Sequence, residues 1–189
     1  MSGTWHEVGR ALRALILGAR GKNSTQKHNN LTPKATLKCS GQPVRLREED
    51  EASPGQFGEG RTRDLEVAAF SKIRLEYSPQ PDGDPDPGEI VWTWVPYVEN
   101  DGRGKDRPVL IIGRIDETTV VGCYLSTKQH RDFISIGTGA WDSQGRQSFL
   151  SPQRLLRVTH TGMRREGVQI DRQGFERAVA GIRDHYRLK

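Results

Sequence analysis

From Glu89 onward the chain alternates in the way strands do. Glu89–Val95 sets Ile90, Trp92 and Trp94 against Val91, Thr93 and Val95, and three further β-rich runs follow at Pro108–Ile112, Thr119–Leu125 and Phe133–Ile136. Ser148–Leu150 reads as a last short strand. Gly102 and Gly104 separate the first pair of runs, and Asp116 with Glu117 the second. Strands this short and this closely spaced predict a small, strongly bent antiparallel sheet or barrel. Asp171 then caps a predicted helix whose Phe175, Val179, Ile182 and Tyr186 fall on one face, with Arg172, Arg177, Arg183 and Asp184 on the others. That stripe has to cover something apolar, and the open side of the barrel is the simplest target.

The first half has a different texture. Trp5, Val8, Leu12, Leu15 and Ile16 recur at helical spacing and predict a short amphipathic helix. From Arg20 to Arg47 there are seven Lys/Arg and no Asp/Glu, then Glu48-Glu49-Asp50-Glu51 reverses the sign before a glycine-rich stretch to Gly60, which is linker chemistry. Ile73, Leu75 and Tyr77 alternate within 64–77 and predict a strand, and Pro79, Pro81, Pro85 and Pro87 mark a boundary because proline cannot join a central ladder. The expected organisation is an N-terminal extension over 1–63 (the short helix, then flexible charged linker), a strand and proline-rich lead-in over 64–83, and the barrel domain over 84–189.

Composition narrows the classes. At 189 residues the chain is too short for a barrel enzyme of the (β/α)8 kind. Only 33% of residues are hydrophobic and 28% are charged, which suits a compact part and a polar remainder. The formal net charge is +5, of which +4 lies in residues 88–189, so a polyanion is a plausible partner for the second half. Cys39 and Cys123 share no CxxC or Cys/His spacing, so neither a disulfide scaffold nor a metal site is expected. The apolar run Ala14–Leu17 is cut off by Arg13 and Arg20, too short for a signal core or a membrane span, and a reduced cytoplasmic location is the default.

No P-loop, HExxH, GxSxG or dinucleotide fingerprint occurs. Two segments can carry chemistry. In Tyr97–Arg107 a polar hairpin loop delivers an arginine immediately before Pro108 and an apolar strand, so Arg107 is presented from a stiff edge and its planar fork matches a phosphate gaining charge. The competing reading is a surface ion pair of Arg107 with Asp101 or Asp106. In Leu125–His130 a strand ends in Ser126, Thr127, Lys128 and His130: hydroxyls that donate to a phosphate oxygen, a cation, and the one side chain whose ordinary pKa suits proton transfer near neutrality. Each is also compatible with an ordinary polar strand end.

GEIVWTWVPY, a charged loop, GKDRPVLIIGR, a strand ending LST, ISIGTGAWD and a closing amphipathic helix together resemble the MazF/PemK family of toxin-antitoxin ribonucleases over about residues 84–189. The resemblance implies a mainly β fold with α: a small SH3-like barrel with a C-terminal amphipathic helix, here preceded by a largely disordered N-terminal extension. It also implies a homodimer, an acidic-tailed antitoxin, and cleavage of single-stranded RNA without metal or other cofactor. In that chemistry the ribose 2′-hydroxyl attacks the adjacent phosphorus, giving a cyclic phosphate and a 5′-hydroxyl. By motif, Arg107 takes the arginine position and Ser126 the hydroxyl position, with Thr127 its alternate because the order of hydroxyls is inverted. Where some members carry an acid-base Arg and Asp, this chain has Ser151 and Gln153, so Glu99, Asp101 or His130 has to move protons. RNA affinity is expected from Arg103, Lys105, Lys128, Arg131 and Arg114. Two further readings stay open: a catalytically silent barrel that binds nucleic acid or an antitoxin-like protein, and an extension that lays Glu48–Glu51 over Arg107 as a built-in inhibitor.

Overall fold

Val109-Leu110-Ile111-Ile112 and Val120-Val121-Gly122-Cys123 are unbroken apolar runs because both faces of the sheet they enter are buried. The computed structural model describes residues 52–80 and 82–188. The expected terminal helix, the basic tract and Glu48–Glu51 lie outside them. In chain order the elements are β1 (Arg63–Asp64), α1 (Val67–Phe70), β2 (Glu89–Pro96), β3 (Gly104–Asp116), β4 (Thr119–Ser126), β5 (Ile134–Gly137), β6 (Ser148–Leu150), β7 (Leu156–Thr159), β8 (Arg164–Gln169) and α2 (Arg172–Tyr186).

All pairings are antiparallel, in the order β1-β7-β4-β3-β2-β8, with β6 bridging β4 and β5. Strand β4 forks: Thr119–Gly122 pairs with β7, whereas Leu125 and Ser126 pair with Leu150 and Phe149 of β6. This fork bends the sheet on itself. Gly122 is required where β3 passes, since a Cβ there would lie 2.5 Å from Val109 Cγ1 and 2.7 Å from the Leu110 carbonyl oxygen.

Alternation along β2, β3 and β4 sends residues to two cores. Ile90, Leu110, Ile112, Cys123 and Leu125 pack with Phe175, Ala178 and Ile182 of α2. Val91, Val95, Val109, Ile111 and Val120 pack with Leu156, Val158 and Met163. Each large aliphatic or aromatic side chain fully buried this way contributes about 1.5–3 kcal/mol. Helix α2 covers the sheet with the predicted stripe, Tyr186 lying half-buried at its end. Its Asp171 side chain accepts from Gly174 N–H as predicted, and Arg187 closes it in the left-handed region at φ 53°.

Three expectations need correction. The strand predicted in 64–77 does not form: only Arg63–Asp64 pair, with β7, and Val67–Phe70 make one helical turn. Ile73, Leu75 and Tyr77 do alternate, but as half-buried side chains laid on the first core, with the Tyr77 hydroxyl donating to the Ile170 carbonyl at 2.9 Å and no ladder partner for the backbone. Strands β7 and β8 were not expected at all. Finally, the stretch to Gly60 read as linker, yet residues 53–62 lie as a folded strap across β2. Trp94 N–H donates to the Pro54 carbonyl at 2.8 Å. Thr62, wholly buried, meets the Thr93 hydroxyl at 2.7 Å, and Thr93 donates to the Gly162 carbonyl at 2.6 Å. Gly55, at φ 81°, sits so close to Thr93 and Gly162 that no Cβ fits.

Candidate functional site

Arg107 lies opposite Thr93 of β2, one residue before Pro108. On its other side the β3–β4 ladder ends at the Val109–Tyr124 pair, because beyond it β4 turns away to β6. The parting of the two strands opens a groove of about 460 Å³, and Arg107 stands on its edge. Tyr124 is opposite Val109, so strand alternation places Arg107, Tyr124 and Ser126 on one face.

The Arg107 guanidinium carbon lies 5.1 Å from the centroid of the Tyr124 ring. Tyr124 meets Phe133 edge to face at 6.1 Å, and Phe133 meets the His130 ring at 4.6 Å. Aromatic contact therefore runs from the guanidinium to the imidazole along one wall. Among the described residues no carboxylate bridges Arg107. The two acids that competed for it are engaged elsewhere: Asp101 with Arg103 at 2.7 Å and Asp106 with Arg164 at 3.2 Å.

The groove gathers Lys105, Arg107, Ser126, Thr127, Lys128 and His130 of the expected set. Ser126 Oγ accepts from Lys128 N–H at 3.0 Å, which fixes the hydroxyl and leaves its proton free to donate outward. Thr127 is exposed just past the strand end. Two ion pairs complete the rim. Arg146 grips Asp142 through Nε, Nη2 and its backbone N–H, and these bonds hold the Asp142 carboxyl down to about 2. Arg164 stacks on Trp92 at 5.7 Å while holding Asp106, whose Oδ1 is buried without a partner.

A second, smaller lobe of about 270 Å³ lies on the far side of Arg107 and Tyr124, which wall both lobes. Val95, Pro96, Tyr97, Val98, Glu99 and Arg154 form the rest of it. Arg154 is anchored, donating to both Asp64 oxygens at 2.8 and 3.0 Å and to the Pro96 carbonyl at 2.6 Å.

Several expected residues stand apart. Glu99 is in the second lobe and not the first, and Asp101 and Arg103 form their pair outside both. Arg131 is exposed and lines neither. Arg114 is bound to the buried Asp86 at 2.6 Å toward the other end of β3. Ser151 is buried with its hydroxyl unpartnered, and Gln153 is exposed away from both lobes. Tyr124, Phe133 and Arg154 were not anticipated; the alternation Tyr124, Ser126 against Cys123, Leu125 is the signal that marks the first. Trp141 reaches the groove but is 5% exposed, its Nε1 donating to Ser148 Oγ at 3.0 Å, so it belongs to the core. Among the described residues no three His, Cys, Asp or Glu side chains gather as a metal would require. No helix among them is long and apolar enough to cross a membrane.

Comparison with curated proteins finds none that matches. Among solved structures, the crystal structure of MazE-MazF (Form-II) from Deinococcus radiodurans is 11% identical, with a TM-score of 0.42 over 56% of this chain and 97% of that one. The profile of PemK-like, MazF-like toxins matches residues 86–185, more than half of the chain, and the matched span holds β2 through nearly all of α2 together with Arg107, Ser126 and His130. The chain belongs to the PemK-like, MazF-like toxins of type II toxin-antitoxin systems.

Proposed function

We propose that this toxin is a metal-independent endoribonuclease of single-stranded RNA. The observation that carries the reading is Arg107, stacked on Tyr124 and unbridged by any described carboxylate, where two open lobes meet. The ribose 2′-hydroxyl attacks the adjacent phosphorus and the bond to the 5′ oxygen breaks, leaving a 2′,3′-cyclic phosphate and a 5′-hydroxyl; this chemistry requires RNA. The Arg107 fork holds the non-bridging oxygens as charge builds on them. Ser126 donates a hydrogen bond to the same group, with Thr127 its alternate. His130 is the titratable side chain in the first lobe that suits proton transfer, while Glu99 faces the second and Asp101 is engaged. Lys105 and Lys128 bind flanking phosphates. The protein partners this reading carries are a second copy of the chain and an antitoxin whose acidic tail suits the same cations, acting in the cytoplasm.

The positions of Ser151 and Gln153 favour a second reading, a catalytically silent barrel that binds RNA or an antitoxin-like protein, because neither supplies an acid or a base to the groove. One experiment separates the two. Purified chain is incubated with single-stranded RNA in EDTA and the product ends are mapped. Cleavage that persists with cyclic-phosphate ends supports the nuclease, and cleavage lost on chelation overturns it. Binding without cleavage leaves the silent barrel.

A further inference from the structure

We infer that the smaller lobe beside Arg107 is a nucleobase subsite that takes a base presenting an amino group and disfavours uracil. The inference rests on the ribonuclease reading, since it needs RNA at Arg107. Arg107 and Tyr124 wall both lobes, so a strand whose phosphate sits on the guanidinium has neighbouring nucleotides on either side, one of them in the smaller lobe. At about 270 Å³ this lobe falls below the range of pockets that hold drug-sized ligands and suits a single base.

Its walls divide into apolar surface and one exposed carboxylate, that of Glu99. Tyr97 is 37% exposed and Val98 79% exposed, large apolar side chains left open beside a phosphate-binding cation. An unpaired base offers a π-face to such a surface whatever its sequence, which gives affinity. The polar groups give the choice. Arg154 is anchored by one bond from each guanidinium nitrogen, to Asp64 or to the Pro96 carbonyl, and its side chain is only 15% exposed, so it serves chiefly as wall. Glu99 has no hydrogen-bond or ionic partner among the described residues, and a carboxylate only accepts. Beside a phosphate strand it is repelled unless a base edge donates to it. The exocyclic amino groups of cytosine, adenine and guanine can do so, whereas uracil flanks its one edge N–H with two carbonyl oxygens.

The test uses 5′-labelled hexanucleotides of A, C or U carrying 2′-O-methyl groups, which remove the nucleophile and prevent cleavage, with affinity read by fluorescence anisotropy. Wild-type protein is expected to bind the C oligomer about tenfold more tightly than the U oligomer, within the range of one polar base contact. Glu99→Gln, whose amide also donates, brings the two within about twofold. Tyr97→Ala weakens the C oligomer about tenfold, the scale of one stacked base. Arg107→Ala weakens all three oligomers alike. Equal wild-type affinity for C and U, or a preference that survives both Glu99→Gln and Tyr97→Ala, overturns the subsite and leaves the nuclease reading standing when Arg107→Ala still loses binding. Arg107→Ala without effect overturns the nuclease reading and the subsite with it. Both lobe residues are exposed, and melting curves superposable on wild type show that the variants fold.

Discussion

Thr93→Val is the substitution by which the structure is most directly put at risk. The side chain projects from β2 and is wholly buried beneath the strap, and its hydroxyl has three oxygen neighbours: Thr62 Oγ1 at 2.7 Å, the Gly162 carbonyl at 2.6 Å and the Pro54 carbonyl at 3.3 Å. One hydroxyl has one proton, and the shortest contact to a carbonyl takes it, so Thr93 donates to Gly162 and Thr62 donates to Thr93. Valine keeps the volume and removes both bonds, leaving a buried hydroxyl and a buried carbonyl with nothing to pair with. Two net hydrogen bonds at about 1 kcal/mol each, together with the cost of stranding their partners, predict a loss of about 2–4 kcal/mol. Thr62→Val breaks only the Thr62–Thr93 bond and is expected to cost about 1 kcal/mol. The double variant is then less costly than the sum of the singles, because the stranded Thr62 hydroxyl is gone. Urea unfolding monitored by tryptophan fluorescence, with the slope unchanged and the midpoint lowered, measures all three. A Thr93→Val midpoint within error of wild type, or strict additivity in the double variant, would refute the hydroxyl chain.

Three other outcomes follow from the site. Arg107→Ala is expected to lower the single-turnover cleavage rate by about 10²–10³, the scale of losing one preorganised donor to a developing anion, and Arg107→Lys to recover less than about tenfold because a point charge replaces neither the fork nor the stack on Tyr124; wild-type rates in either variant sink the mechanism. Salt titration of binding to a 2′-O-methyl oligonucleotide should give a log–log slope of about −2, from roughly 0.7 per contact for Lys105, Arg107 and Lys128, since Arg103, Arg114, Arg146 and Arg164 are already paired; a flat plot removes the electrostatic groove. Asp142 contributes stability that is complete above its ordinary carboxyl range and is lost as pH falls through about 2, so Asp142→Asn should flatten acid unfolding between pH 4 and 2, and an unchanged acid limb argues against the Arg146 grip.

What the chain discloses unaided depends on how its residues are buried. Strands β2, β3 and β4 are legible because both faces are covered, which forces apolar runs, and α2 is legible because one face is covered, which forces a stripe. Strand β8, Arg-Arg-Glu-Gly-Val-Gln, is a polar sheet edge whose half-buried Val168 gives no period to detect. The segment with Ile73, Leu75 and Tyr77 shows the converse: a period of two reports alternate burial, and here burial occurs without a ladder. The strap is invisible for a third reason, since Pro54, Gly55 and Thr62 hold it with backbone carbonyls, a positive φ and one hydroxyl, in a composition that reads as linker. At the groove, Arg107, Ser126 and His130 stand out in the sequence because their side-chain chemistry is explicit, whereas the pairing of Arg114 with Asp86, 28 residues before it, depends on a neighbour that only the fold supplies. A truncation meant to test Glu48–Glu51 as an inhibitor therefore has to stop before Ser53, or it removes part of the fold along with the acids.

The fork in β4 has a mechanical meaning. Because a single strand is stitched to β7 along its first half and to β6 at its tip, the jaw that faces Arg107 cannot swing outward unless the rungs at Leu125 and Ser126 come apart. On the proposed function the mouth is already set when RNA arrives, so the entropy of shaping it is spent during folding and not at the moment of encounter. The polar hairpin around residues 97–103 lies outside these rungs, so it can be rewritten without disturbing the frame beneath it.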